Sequence, residues 1–165
     1  IGMKFSVGDK AVHPAHGVGE VTSIEKKSIA GSDKRFYIMK IVDSGMTVMV
    51  PVDGVERLGL RGVISKREAT KVYKELEKEE VAVTSQPWNR RYREYTEMLK
   101  SGSPIEVAKV LRDLSRLRGE KDLSFGERRL LEQARNLLVA ELALARSIKE
   151  AKVLKDFEKL LGAPV

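Results

Sequence analysis

Leu58-Gly59-Leu60-Arg61-Gly62-Val63-Ile64-Ser65-Lys66-Arg67-Glu68 is the stretch at which the chain changes texture. Upstream of its two glycines, from Lys4 to about Val52, short β-branched segments are divided by turn residues. Val12, Val18, Val21-Thr22, Phe36-Tyr37-Ile38-Met39 and Met46-Thr47-Val48-Met49-Val50 read as strands, with breaks at Gly8-Asp9, His16-Gly17, Gly31-Ser32-Asp33 and Asp43-Ser44-Gly45. In the last strand, alternation puts Val48 and Val50 on one face and Thr47 and Met49 on the other. Pro51 has no N–H to donate to a further neighbour, which predicts an edge strand.

Downstream of Gly62 the start signals of helices repeat. Ser65-x-x-Glu68, Ser103-Pro104-x-Glu106, Ser124-x-x-Glu127 and Ser147-x-x-Glu150 each set a hydroxyl three residues before a carboxylate. The hydroxyl can accept an unpaired first-turn N–H while the Glu reaches back to the cap residue. Pro104 fits the first helical position, where its missing N–H has no partner to lose. The segments behind the caps are amphipathic, with Val107, Val110, Leu111, Leu114 and Leu117 on one stripe. Leu130, Leu131, Ala134, Leu137, Leu138, Leu142 and Ala145 form another. A further helix over residues 86–100 is announced by Pro87 and closed by Ser101-Gly102. The expectation is an α+β chain: a small β domain over residues 3–62, then a compact all-α domain of about five helices over residues 63–165.

Charge divides along the same line. The first 60 residues carry 8 Lys+Arg against 7 Asp+Glu, and residues 61–165 carry 23 against 17, so +6 of the net +7 lies in the helical part. A polyanion partner for that part is one consequence, and solvated mixed-charge helix faces are the alternative. There is no cysteine, which removes disulfides and thiolate metal sites. No apolar run approaches the roughly 18 residues of a membrane span. These features suit a cytoplasmic protein without membrane contact, and no heptad seam argues against a monomer.

The residues that enzymes need are sparse. His13 and His16 lie in His-Pro-Ala-His-Gly without further ligands at metal-binding spacing, so a hydrogen-bonded turn is expected there. Gly17-Val18-Gly19 lacks the third glycine and the helix of a dinucleotide loop, and no phosphate-loop or nucleophile-elbow motif occurs. No enzyme activity, metal or cofactor is expected. The distinctive segment is Pro87-Trp88-Asn89-Arg90-Arg91-Tyr92-Arg93-Glu94-Tyr95, which gathers the only tryptophan, two of four tyrosines and three arginines at a helix start. Arginine can grip phosphate bidentately beside a positive helix end, and a planar ring can wedge against a base step. Against this, Trp88, Tyr92, Tyr95 and Leu99 recur at i, i+4, i+7 and i+11, which reads Trp88 as a core anchor. Its first-turn position leaves it able to overhang whatever it packs on. Lys109, Arg112, Arg116, Arg118, Arg128, Arg129 and Arg135 are interleaved with acids and read mostly as solvated faces.

The order and spacing of several segments resemble the CarD/CdnL family of bacterial RNA polymerase-binding regulators, from about Phe5 to Leu161. They are Val7-Gly8-Asp9-Lys10-Ala11-Val12-His13-Pro14-Ala15-His16-Gly17, Val50-Pro51-Val52, Trp88-Asn89-Arg90-Arg91-Tyr92, Val110-Leu111-Arg112-Asp113-Leu114 and Leu123-Ser124-Phe125-Gly126-Glu127-Arg128. The resemblance implies a Tudor-like N-terminal barrel similar to the polymerase-interaction domain of the transcription-repair coupling factor. It further implies docking on the RNA polymerase β subunit, and promoter DNA contact by the helical domain at the upstream edge of the melted region. On the same basis Lys27, Met39, Met49 and Pro51 fall at the polymerase-contacting edge. Trp88 matches the family's DNA wedge, Arg90, Arg91 and Arg93 its phosphate contacts, and Phe125 the apolar patch beside the wedge. The chain reads as the stand-alone, CdnL-like form, acting without catalysis to stabilise the open promoter complex. The alternative is a polymerase adaptor whose helical domain binds another protein.

Overall fold

A computed structural model describes residues 3–79, 87–162 and 165. The chain separates into two compact units, Ile1–Val63 and Ile64–Val165. In the first, strands β1 (Lys10–His13), β2 (Gly17–Ile29), β3 (Ser32–Ile41), β4 (Thr47–Pro51) and β5 (Arg61–Gly62) form one antiparallel sheet in the order β4-β3-β2-β1-β5. A 3-10 turn over Val52–Gly54 and the short helix α1 (Val55–Leu58) join β4 to β5. The order makes β4 an edge, as Pro51 requires, and β4 shows the expected alternation: Val50 is buried while Thr47, Met49 and Pro51 are exposed.

The β2–β3 hairpin is longer than its pattern predicts. The turn is confined to Ala30 and Gly31, both at positive φ, the primed geometry that suits a two-residue hairpin. Ser32 and Asp33, expected to be turn, instead open β3. The outer half of this hairpin is solvated on both faces, so it carries no apolar alternation by which a sequence reader would extend it. Its register sets Lys26 opposite Arg35 and Lys27 opposite Lys34. Like charges directly across a ladder are unfavourable. Among the described residues only Lys26 is relieved, by Asp33 at 3.3 Å.

The core of this unit comprises Phe5, Ala11, Val21, Tyr37, Met39, Val50, Val52, Val55 and Leu60. Tyr37 stands edge-on to Phe5 and its hydroxyl accepts the Phe5 N–H at 3.1 Å, fixing the entering chain. Met39, expected at the docking edge, is fully buried. It lies on β3, flanked by β2 and β4, on the face that alternation turns inward.

The second unit holds α2 (Lys66–Glu77), α3 (Trp88–Lys100), α4 (Pro104–Glu120), α5 (Phe125–Arg146) and α6 (Glu150–Leu161). Position 86, the expected start of the third helix, lies outside the described residues. Ser65 and Ser124 form full capping boxes with Glu68 and Glu127, and Ser103 accepts the Glu106 N–H ahead of Pro104. The fourth expected cap is absent. Ser147 takes a left-handed conformation at φ 56° and closes α5, so α6 starts from Lys149 without a side-chain cap. The motif spacing was present, but α5 runs to Arg146 and leaves too short a link for Ser147 to serve the next helix.

Both predicted stripes are at the heart of the helical core, with Leu137 and Ala145 at its margin. Among the described residues of this unit, Glu75, Arg91, Arg112, Glu127 and Glu141 are charged and buried. Arg112 of α4 is 2 % exposed and donates from Nη1 to the Glu75 carbonyl (3.0 Å) and carboxylate (3.2 Å), fastening α2. Glu141 of α5 accepts the N–H of Ile64 at 3.0 Å, where the unit begins. Arg112 therefore belongs to the core seam and not to a solvated face.

The two methionines give the test of this packing. Met39→Ala removes a fully buried side chain and should destabilise the β unit by about 2–5 kcal/mol, whereas Met49→Ala should change it by less than about 0.5 kcal/mol. Urea unfolding followed by hydrogen exchange of β-strand amides separates the outcomes, and equal effects would contradict the burial of Met39.

Candidate nucleic-acid interface

α3 brings the distinctive segment together. Its buried face consists of Arg91, Tyr95 and Leu99, with Trp88 and Met98 half-buried beside them. The core lies to the Arg91 side of the predicted stripe, and Tyr92 is turned out at 46 % exposure. This alters two expectations. Tyr92 is a surface aromatic, standing edge-on to Trp88 with ring centroids 5.7 Å apart. Arg91, expected to contact phosphate, is 8 % exposed and held inside. Its guanidinium carbon lies 5.4 Å from the Trp88 ring centroid and 5.8 Å from that of Tyr95, with Nη2 3.8 Å from Glu127 Oε2. Stacked on aromatic faces and facing a carboxylate, this arginine braces the tryptophan from below.

Glu127 ties the brace to α5. Its Oε1 accepts the Ser124 N–H at 2.9 Å while its own N–H donates to Ser124 Oγ at 3.2 Å. Burial alone pushes this carboxyl up. The Ser124 hydrogen bonds, with the charges of Lys121 and Arg91, outweigh burial and hold it below the usual range. Phe125 and Gly126 follow the cap. The indole lies on Gly126 so closely that a Cβ there would come within 3.1 Å of Trp88 Cζ2, so glycine sets the seating of the ring. Phe125, one residue earlier on α5, is 69 % exposed.

Open cations lie on the same two helices. Arg90 and Arg93 are exposed on α3, Arg90 within 3.4 Å of Glu94 in an open i,i+4 pair. Such a pair contributes little and yields readily to a phosphate. Pro87, the N-cap, supplies no side-chain cap bond to the first turn. On α5 a hollow of about 550 Å³ is lined by Phe125, Arg128, Arg129, Glu132, Gln133 and Asn136, with Arg129 5.7 Å from the Phe125 ring. Arg128 and Arg129 were read from sequence as solvated. Their spacing of three and four from Phe125 puts all three on one helix face, and that was the available signal.

In the β unit, Met49 at 45 % exposure and Pro51 lie on the edge strand, and Lys27 is exposed in the outer hairpin. The histidine pair forms a turn: His13 Nδ1 accepts the Ala15 N–H at 3.0 Å, with its ring 4.7 Å from that of His16. Burial, then the neighbouring His16, pushes the His13 pKa down. Among the described residues no group of three or more His, Asp or Glu is placed to hold a metal, and no helix is long and apolar enough to cross a membrane.

The chain thus pairs a β unit that presents an edge strand with a helical unit whose half-buried tryptophan is braced by an arginine. Two family models match it: the CarD-like/TRCF RID domain over residues 5–64 and the CarD C-terminal domain over residues 71–158. The protein named "Putative transcription factor YdeB" of Bacillus subtilis (strain 168) is 31 % identical over 156 residues, spanning 93 % of this chain and 99 % of that one. Among solved structures, CdnLNt from Myxococcus xanthus matches at 45 % identity and TM-score 0.33, over 39 % of this chain and 92 % of that one. The 72-residue N-terminal domain of Myxococcus xanthus CarD matches at 35 % identity and TM-score 0.32, over 38 % and 83 %. The chain belongs to the CarD/CdnL family, and is an α+β transcription regulator with a Tudor-like N-terminal domain.

The depressed Glu127 carboxyl fixes a pH dependence. The folded state holds this proton less tightly than the unfolded state, so the stabilisation is complete above the ordinary carboxyl value of 4.5 and is lost as pH falls through the lower folded value. Glu127→Gln should therefore flatten the fall in melting temperature between about pH 5 and 3. Glu75 and Asp156, also depressed, preserve part of the slope. Calorimetry of both proteins over that range checks it, and identical slopes would contradict the assignment.

Proposed function

We propose that this protein docks on the β subunit of RNA polymerase through its β unit and stabilises the open promoter complex with its helical unit. The observation that carries the reading is the seating of Trp88. One side rests on Gly126 with Arg91 beneath, and the half-buried ring is left beside exposed Tyr92. A ring fixed in this way can lie against an unstacked base step at the upstream edge of the bubble. It would offset part of an unstacking cost of a few kcal/mol. Because the closed duplex offers no such step, the contact favours the melted state differentially, which is what shifting the equilibrium requires.

Arg90 and Arg93 serve this reading as phosphate contacts, joined by Arg128 and Arg129. Arg91 is a positioning residue. Contacts of that kind are weak, sequence-blind and salt-sensitive on their own. Docking through Met49, Pro51 and Lys27 raises the local concentration of the helical unit, to roughly millimolar for a short tether. The unrelieved cross-strand cations Lys27 and Lys34 support an acidic docking surface, since a partner's carboxylates would remove a repulsion that the free hairpin carries. Met39 takes no direct part.

Two variants separate the halves of the proposal. Trp88→Ala should leave polymerase binding intact and shorten the open-complex lifetime about fivefold or more, as loss of ~1–3 kcal/mol of stacking implies. An unchanged lifetime in competitor-challenged promoter assays would contradict the wedge. Met49→Asp should retain the melting temperature and abolish capture of the polymerase β subunit in a pull-down, and retained capture would remove the β4 edge from consideration.

A further inference from the structure

A second built surface involves none of the residues around Trp88. Between α2, the end of α5 and α6 lies a cleft of about 620 Å³ lined by Lys66, Thr70, Tyr73, Arg146, Ile148, Lys152, Asp156, Lys159 and Leu160. Its volume falls in the range of about 300–1,000 Å³ usual for small-molecule sites. Four of the lining residues are cationic and one is anionic. Asp156 is already engaged, accepting from Lys152 at 2.8 Å and from the Tyr73 hydroxyl at 3.1 Å. Burial, then that bond, pushes the Tyr73 pKa up to about 12, so the phenol remains a neutral donor. Arg146 is fixed over the Tyr73 ring, its guanidinium carbon 3.8 Å from the centroid, with Nη2 3.5 Å from Thr70 Oγ1. The surplus is three positive charges around a floor to which Ile148, Leu160 and the rim of Tyr73 contribute apolar surface.

We propose that this cleft binds a small organic polyanion of the nucleoside di- or triphosphate class. The charges match a chain of two or three phosphates in number, and the apolar floor matches the body that carries it. Arginine held by stacking presents its fork at little further entropic cost. Lys66 and Lys159, both exposed and on different helices, close on the phosphates from two sides. The start of α6 adds to the field, because it runs between the lining residues Ile148 and Lys152 without a side-chain cap. A concave site of this size suits a compact ligand better than a duplex. A ligand there would cross-link α2, α5 and α6 and so stiffen the helical unit.

The test uses the full chain, isotope-labelled, titrated with GTP, ATP, tripolyphosphate and an alternating Glu-Leu peptide. Amide spectra and calorimetry provide the readout. GTP or ATP should perturb the amides of Thr70, Ile148 and Leu160 and raise the melting temperature, with tripolyphosphate binding more weakly for want of a body. Lys66→Glu/Lys159→Glu, two exposed substitutions, should weaken nucleotide binding about tenfold or more, while Arg90→Glu leaves it unchanged. Failure of both nucleotides to perturb the cleft would overturn the proposal. So would tripolyphosphate binding as tightly as nucleotide, peptide binding alone, or a double variant that binds as well as the parent.

Discussion

The helical unit depends on a charge placed where charges are costly. Arg91 enters the interface of α3 and α5 with Glu127 as its partner at 3.8 Å, yet Arg91 Nε and Nη2 and Glu127 Oε2 have no hydrogen-bond partner among the described residues. A buried ion pair so incompletely hydrogen-bonded contributes little net stability, since desolvation of both ions opposes their attraction. An apolar pair of the same volume would pack at least as well. What the arginine supplies is location: its flat cation lies under the indole and against Tyr95, while its carboxylate partner is immobilised by the α5 capping box. The cap, the ion pair and the ring are one connected device, and each member limits the rotamers of the next.

Stability comes from elsewhere in the same unit. Arg112 is better satisfied, with hydrogen bonds to both the carbonyl and the carboxylate of Glu75, and Glu141 closes off the amide that opens the unit. Around them runs a continuous apolar core from Ile64 to Phe157. The β unit is organised differently. Its core is small, and its outer hairpin contributes exposed strand and opposed lysines in place of burial. Rigid packing is concentrated in the unit that carries the aromatic cluster, and unfavourable charge in the unit that carries the β4 edge.

The sequence made legible whatever rests on a repeating period or a local cap. The helices, the amphipathic stripes, the β4 edge and three of the four serine caps followed from such patterns. Met39 escaped because resemblance pointed to a region of the β unit, while the side of the strand on which a residue falls is set by pleat and neighbours. Arg91 escaped because a guanidinium in a polar run gives no periodic signal of burial, and only the fold reveals that Glu127, 36 positions away, comes to meet it. Ser147 failed for a third reason: the capping spacing is local, but whether it is used depends on where the preceding helix stops. Arg128 and Arg129 share a hollow on α5 with Phe125, a grouping that alternating charges do not announce because they look the same on a solvated face.

The half-buried state of the tryptophan reconciles the two readings that its sequence position left open. Periodicity made it a core anchor and resemblance made it a wedge, and a half-buried ring is compatible with both. A fully buried indole has no surface for a base, and a fully exposed one must surrender its rotamer freedom on binding, which weakens the contact. Resting on Gly126 and braced by Arg91, the ring gives up that freedom on folding instead, when the core makes up the loss. The open ring area is smaller than that of a free side chain, but under the proposed function a larger share of its stacking energy would reach the melted complex. Under the proposed function a glycine and a buried arginine would thus carry weight without touching nucleic acid.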